Sequence, residues 1–191
     1  ASGGYLYFVL VYYLAVYINT PKFATVLWWD PVWHLPVINA FIIPYVSVYF
    51  VPIFLAIVVK NKKEFLKLMA LFALVIGLCG LLFLALPLTL PRPEIERGGM
   101  MSALLTTKYR VDRPINLFPS IHVVGSMLFM FIVGAKRPSY RWWLWAWVLL
   151  VAASTLLIRQ HYFIDIVGAF VIGFTSWHIF LRLNPGFNKL P

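Results

Sequence analysis

Three ionisable side chains stand together in the stretch RQHYFID, residues 159–165, between two apolar runs. His161 and Asp165 are four residues apart, and on a helix such positions lie on one face. Asp165 could then accept a hydrogen bond from one ring nitrogen of His161 and leave the other nitrogen basic. A carboxylate that fixes the tautomer in this way makes a histidine a better nucleophile or base. The spacing is equally compatible with a polar pair that caps a helix end at the membrane interface.

A second polar cluster, FPSIH at residues 118–122, stands at the start of another apolar run. Pro119 suits the first turn of a helix, where its missing N–H costs nothing. Ser120 and His122 would then lie beside backbone N–H groups that have no partner inside the helix, an arrangement that binds anions. Such a cluster alone is more often structural, but His122 placed there could donate a proton to a leaving oxygen.

Taken together, the two clusters predict a site for phosphate chemistry. Two histidines and one carboxylate could attack a phosphoryl group from one face and protonate its departing oxygen on the other. Lys108, Arg113 and Arg159 would balance the charge on its oxygens. This chemistry requires no metal and no cofactor, and the sequence has no acidic cluster suited to magnesium. We expect the two histidines to face each other across roughly 5–7 Å, each in hydrogen-bond reach of one phosphate.

The composition indicates that a membrane holds these residues. Of the 191 residues, 62% are apolar or aromatic and 12% are charged, whereas soluble domains carry about 25% charged residues. We therefore predict a single integral membrane domain over residues 1–191, with membrane lipids around it. The net charge of +10 does not indicate a nucleic acid partner, because the basic residues lie between apolar runs, where they face lipid headgroups or set topology.

Six apolar runs approach the length of about 20 residues that a membrane-spanning helix needs. They predict an all-α, polytopic membrane bundle of about six transmembrane helices, with runs at about 5–18, 37–59, 65–89, 117–135, 142–158 and 162–182. The stretch NTPKFATVLWWDPVWHLP is expected to lie in the membrane interface. The connection LPRPEIERGGMMSALLTTKYRVDRPIN is expected to be a long functional loop.

The distribution of basic residues predicts the orientation of the chain. Alternate connections carry nine Lys and Arg on one side and seven on the other, and the first side has a single acid, Glu64. By the positive-inside rule, the first side is cytoplasmic, as are both termini. The segment 159–165 and the long connection then lie together on the outer side, which would be periplasmic, extracellular or lumenal.

Three motifs in the chain resemble those of the PAP2 superfamily, the type 2 phosphatidic acid phosphatases and related lipid phosphotransferases. The family pattern K-x6-R-P is matched by KYRVDRP with a spacing two residues shorter, and P-S-G-H is matched by PSIH. The pattern S-R-x5-H-x3-D is matched by STLLIRQHYFID, in which Thr155 stands where the family has arginine. The resemblance covers about residues 65–182, the predicted catalytic part. Its motif style is most similar to the branch that includes inositol phosphorylceramide synthases.

The resemblance implies a role for each matching residue. His161 would be the nucleophile that forms a phosphohistidine, Asp165 would orient it, and His122 would be the acid for the leaving group. Ser120, Arg113 and Lys108 would bind the phosphoryl oxygens. Because Thr155 cannot replace a guanidinium, either Arg159 or Arg92 would have to supply that charge.

Three functions remain open at this point. The first is a metal-independent lipid phosphate phosphatase acting on a phosphatidate, a phosphatidylglycerol phosphate or a polyprenyl pyrophosphate. The second is a lipid headgroup phosphotransferase of the phosphorylceramide-synthase type, which shares the first half-reaction. The third is a non-catalytic protein that binds or carries a lipid phosphate. The sequence does not fix the oligomeric state.

Overall fold

The structure, a computed structural model, describes residues 24–96 and 98–187, together with positions 7, 10, 11, 13, 14, 17 and 18. Within these residues the secondary structure is helical, and the only β-pairing consists of two isolated bridges, Thr25 with Leu88 and Thr89 with Ile115. The main helices are α1 (Asn39–Val58, alternating 3-10 and α turns), α2 (Lys62–Ala85), α3 (Gly99–Val111), α4 (Ile121–Lys136), α5 (Arg141–Leu157) and α6 (Phe163–Leu183). The prediction of an all-α fold is confirmed.

Four helical segments are long and apolar enough to cross a membrane, namely Asn39–Val58, Lys62–Ala85, Pro138–Leu157 and Phe163–Leu183. They correspond to four of the predicted runs, and large apolar side chains such as Leu74, Trp142 and Leu183 are 74–84% exposed on their surfaces. Exposed apolar surface of this extent suits contact with lipid. The first predicted run, 5–18, lies largely outside the described residues.

Helix α4 corresponds to the predicted run 117–135 but is shorter, with 16 residues. It begins only at Ile121 because Ser120, with extended backbone angles, is its N-cap. Ten of its residues are buried, and they form much of the core that α4 shares with α5 and α6. Its N-terminal residues are therefore held between other helices.

The stretch KNKKEF, residues 60–65, contains the start of α2. Asn61 Oδ1 accepts hydrogen bonds from the backbone N–H groups of Lys63 and Glu64, so that α2 begins at Lys62. Glu64 then forms an ion pair of 2.7 Å with Lys136 at the C-terminal end of α4. This contact places the 60–64 connection and the end of α4 at the same end of the bundle.

The long connection at 91–116 is not the unstructured loop that we predicted. The run MMSALLTTKY is rich in residues that favour helix, and α3 includes the whole run. The hydroxyl of Tyr109 donates to the carbonyl of Ile158 at 2.7 Å, which ties α3 to the loop between α5 and α6. Lys108 in the last turn of α3 is thereby brought towards the histidines.

Asp30, which the sequence analysis did not single out, organises the segment before α1. Its Oδ1 accepts from Val32 N at 2.9 Å and so caps the 3-10 turn Pro31–His34. Its two carboxylate oxygens also accept from Phe163 N and Ile164 N, at 3.0 and 3.3 Å. The segment therefore packs on the N-terminal end of α6, next to the candidate site.

Candidate active site

His161 and Asp165 are in contact, but not through the helix face that the spacing predicted. His161 lies two residues before α6 begins at Phe163, and Asp165 stands in the first turn of that helix. Asp165 Oδ2 accepts from the backbone N–H of Tyr162 at 2.8 Å and lies 3.2 Å from His161 Nδ1. The same carboxylate oxygen therefore caps the helix and holds the histidine, so both interpretations of the spacing apply.

The surroundings of His161 determine which ring nitrogen carries the proton. Its Nδ1 lies 3.2 Å from Asp165 Oδ2 and 3.0 Å from the carbonyl oxygen of Leu117. Both atoms are acceptors, so Nδ1 must be the donor, and in the neutral ring Nε2 then bears the lone pair. Within the described residues Nε2 has no hydrogen-bond partner. Leu117, a backbone contact, could not be identified from side-chain types.

The turn that presents His161 is fixed by backbone hydrogen bonds. The carbonyl of Thr155 accepts from Gln160 N at 2.9 Å and from His161 N at 3.2 Å. Arg159 adopts a left-handed conformation with a φ of 48°, which reverses the chain after α5. The Thr155 hydroxyl donates to the carbonyl of Ala152 and is buried. At the position where the family motif has arginine, this chain therefore has a residue engaged in its own helix.

The second histidine lies beside the first. Ser120 N donates to the backbone carbonyl of Asp165 at 3.2 Å, so that the start of α4 is held against the start of α6. This contact brings the ring centroids of His122 and His161 to 6.1 Å, with 61° between the ring planes. This is a distance between ring centres and not between the ring nitrogens, so the expected space of roughly 5–7 Å for one phosphate stays a prediction. Ser120 Oγ is fully buried and has no partner among the described residues.

Two tyrosines of α1, which the sequence analysis missed, surround His122. The ring of Tyr45 stacks on the imidazole with 4.2 Å between centroids, and the hydroxyl of Tyr49 lies 3.4 Å from His122 Nε2. They are four residues apart on an apolar run, a spacing that places two phenol groups on one face of the helix. That pattern was the only signal in the sequence.

Lys108 joins the site through Tyr49. Its Nζ donates to the Tyr49 hydroxyl at 2.9 Å and forms an ion pair of 2.9 Å with Asp112. Burial alone would lower the pKa of Lys108, but the neighbouring Asp112 and Tyr49 outweigh it and raise that pKa above its usual value. Lys108 is therefore a stable cation, and the Tyr49 hydroxyl connects it to His122.

The structure separates the three arginines that were predicted to bind phosphate. Arg92 donates to Gln160 Oε1 at 2.9 Å and to the backbone carbonyls of Tyr109 and Asp112, so its guanidinium lies next to the residue before His161.

Arg159 turns away from this group, since its Nη2 donates to the Leu35 carbonyl at 2.9 Å and its guanidinium lies over the ring of Trp33. Arg113 is exposed and makes no recorded contact with either histidine. Over the described ranges, no three His, Cys, Asp or Glu side chains cluster as a metal site would require.

The apolar helices fit a membrane protein, and they bring the two histidines of the sequence motifs together. A sequence model of one protein family, described as the PAP2 superfamily, matches residues 15–179. The chain therefore belongs to the PAP2 superfamily, whose phosphatase and phosphotransferase chemistry it is expected to share. Neither the curated proteins nor the solved structures contain a match. The assignment to the phosphorylceramide-synthase-like branch remains a prediction.

Proposed function

We propose that this protein is a lipid phosphate phosphatase that works through a phosphohistidine at His161 Nε2. The observation that carries the proposal is the arrangement around His161: Nδ1 is held by two acceptors, Nε2 has no hydrogen-bond partner in the part of the chain that the structure describes, and a second histidine lies 6.1 Å away, centroid to centroid. A neutral imidazole with its lone pair on the open nitrogen is a nucleophile ready to attack phosphorus.

In the first half-reaction, Nε2 of His161 forms a bond to phosphorus as the bond from phosphorus to the leaving oxygen breaks. The positive charge that develops on the ring is stabilised by Asp165, whose carboxylate is buried and already aligned. Protonated His122 gives its proton to the leaving oxygen, so that the lipid departs as an alcohol or, from a pyrophosphate, as a lipid monophosphate. In the second half-reaction, His122 takes a proton from water, which attacks the phosphohistidine and releases inorganic phosphate.

The phosphoryl oxygens need donors, and the site offers several. Ser120 Oγ is buried and without a partner, and Gln160 Nε2, Arg92 Nε and Arg159 Nε are likewise unpaired among the described residues. Buried donors without acceptors cost stability unless a ligand completes them. Arg92 is the better candidate for the charge missing at Thr155, because its guanidinium donates to the Gln160 side chain next to His161, whereas that of Arg159 is directed to Leu35 and Trp33. Lys108 and Arg113 would attract the anion from further out.

A lipid is the proposed substrate because helices with lipid-facing apolar surfaces hold the site. An acyl or prenyl chain could remain in the bilayer while its phosphate reaches the histidines. The substrate would be a phosphatidate, a phosphatidylglycerol phosphate or a polyprenyl pyrophosphate. We further propose that the chain crosses the membrane several times, with the site on the outer side and both termini in the cytoplasm, on the basis of the Lys and Arg distribution.

The test is a phosphate-release assay on the purified protein across these three lipid phosphates, with EDTA present. We expect release in EDTA, and its loss in His161→Ala and His122→Ala. The matched control is His178→Ala, since His178 is an exposed histidine that, among the described residues, makes its hydrogen bond to the carbonyl of Phe174, within α6. Loss of activity in EDTA would contradict the metal-independent mechanism.

The same assay separates the alternatives. If phosphate leaves the lipid only when an alcohol is added, and appears on that alcohol, the protein is a phosphotransferase of the phosphorylceramide-synthase type. If His161→Ala leaves the biological activity intact, the protein binds or carries lipid phosphates without catalysis.

A further inference from the structure

The hydroxyl of Tyr49 lies between two residues of the site. It accepts a hydrogen bond from Lys108 Nζ at 2.9 Å and stands 3.4 Å from His122 Nε2. Tyr49 belongs to α1, outside the part of the chain that carries the family motifs. Its side chain is 51% exposed, so the packing of the core does not explain why its hydroxyl reaches these two groups.

The hydrogen atoms in this chain of contacts can be assigned from the groups themselves. An ammonium group only donates, so the Tyr49 oxygen is the acceptor from Lys108 and keeps its own hydrogen for His122. Neutral His122 then receives that hydrogen at Nε2, which leaves the proton of the ring on Nδ1. When His122 is protonated, the same hydroxyl can accept from Nε2. Only the protonated ring is acidic enough to give the Nδ1 proton to a leaving oxygen.

The ring of His122 is also fixed in space. Tyr45 stacks on it at 4.2 Å, and Tyr49 meets it edge to face at 5.7 Å. Lys108 Nζ lies over both tyrosine rings, at 5.3 and 5.6 Å from their centroids, and is held by Asp112. The histidine therefore sits in an aromatic clamp whose polar end is the Tyr49 hydroxyl.

We propose that Tyr49 is a positioning residue for the leaving-group proton, acting through His122 and anchored by Lys108. This inference rests on the proposed function. As the P–O bond breaks and the N–P bond to His161 forms, the proton on Nδ1 of protonated His122 passes to the leaving oxygen, and the ring becomes neutral with its remaining proton on Nε2. The Tyr49 oxygen accepts from Nε2–H during this step and so holds the ring in the orientation that gives up the Nδ1 proton. Without the hydroxyl, Nε2–H loses this acceptor and the ring is no longer held in one orientation.

The test uses the dependence on the leaving group, which a merely structural role would not change. An alkyl phosphate such as phosphatidate needs a proton on its departing oxygen, whereas p-nitrophenyl phosphate does not. For Tyr49→Phe we expect kcat on phosphatidate to fall about 10-fold and kcat on p-nitrophenyl phosphate to change less than about 3-fold, since general acid catalysis contributes only where the leaving oxygen is basic. His122→Gln should show the same selectivity with a larger loss.

The control is Tyr140→Phe, which removes an exposed tyrosine hydroxyl from the 3-10 turn before α5 and should leave both rates unchanged. Equal losses on the two substrates, or no loss, in a Tyr49→Phe protein whose thermal unfolding matches that of the wild type would overturn the role of Tyr49 alone. If the wild-type protein releases phosphate from neither substrate, the proposed function fails and this inference fails with it.

Discussion

Asp165 Oδ2 accepts hydrogen bonds from His161 Nδ1 at 3.2 Å and from the backbone N–H of Tyr162 at 2.8 Å. One carboxylate oxygen therefore both orients a histidine and caps a helix. The start of α6 and the proposed nucleophile, His161, are therefore held by the same side chain. Because Asp165 is fully buried, its position changes little without a change in the helix start itself.

Asp165→Asn tests the charge of this carboxylate. An amide oxygen in the place of Oδ2 can still accept from Tyr162 N and from His161 Nδ1, which keeps α6 capped, but the negative charge that stabilises the imidazolium is lost. We expect phosphate release to fall by roughly 10²–10⁴-fold, the usual contribution of a positioned acid or base, while the melting temperature changes little. Retention of more than half the activity in a folded Asp165→Asn protein would contradict the role of the carboxylate.

Ser120→Ala tests whether a buried hydroxyl is reserved for substrate. Its Oγ has no partner among the described residues, so its removal should not lower the free energy of unfolding. Activity should fall about 10- to 100-fold, since a hydrogen bond to a charged group contributes about 1.5–3 kcal/mol. The two measurements are phosphate release and thermal unfolding in detergent. A destabilised protein with unchanged kcat/KM would show that the hydroxyl is structural.

Arg92 and Arg159 can be compared directly by matched substitutions to glutamine. Arg92→Gln should reduce kcat/KM at least about 10-fold more than Arg159→Gln, since the Arg92 guanidinium donates to the Gln160 side chain, whereas that of Arg159 is directed to Leu35 and Trp33, and a charged hydrogen bond is worth about 1.5–3 kcal/mol. Arg159→Gln should mainly reduce stability, because it removes the contacts with Leu35 and Trp33. The reverse order of kcat/KM values would assign the missing charge to Arg159.

Asp30→Ala should disturb the start of α6, although Asp30 is far from that helix in the sequence. It removes the acceptor for Phe163 N and Ile164 N at the start of α6, and we expect a loss of about 1–3 kcal/mol in the free energy of unfolding, as for buried donors left unpaired. Activity should fall as well, since Asp165 lies in the same turn.

The matched control for Asp30→Ala is Asn61→Ala. Asn61 caps the start of α2, which lies beside the C-terminal end of α4, whereas the site lies at the N-terminal end of α4. This variant should lose stability but keep its activity when assayed below its melting temperature. Equal losses of activity in the two variants would mean that Asp30 acts only through global stability.

Much of this architecture could be predicted from the sequence. Apolar length located the four helices that are long and apolar enough to cross a membrane, and the four-residue spacing predicted the contact of His161 with Asp165. The motif PSIH located the second histidine at a helix start. These features depend on residues that are near each other in the chain, where spacing and periodicity carry the information.

The remaining features depend on contacts between distant segments. Tyr49 and His122 are 73 residues apart, and Asp30 and Phe163 are 133 apart. Neither pair leaves a periodic signal. The Leu117 carbonyl on His161 is a backbone atom, which residue types cannot indicate. Helix α3 was missed because the Pro and Gly residues before it and the charges after it resemble a loop.

The most direct measurement is to isolate the phosphoenzyme. The protein would be mixed with a lipid phosphate carrying labelled phosphorus, quenched under alkaline conditions that preserve phosphohistidine, and mapped by mass spectrometry. In the wild-type protein we predict label on the peptide that contains His161, with or without EDTA. In His161→Ala we predict no label on that peptide. Label on another residue, or rapid turnover with no label on any residue in a quench fast enough to catch a single turnover, would contradict the phosphohistidine mechanism.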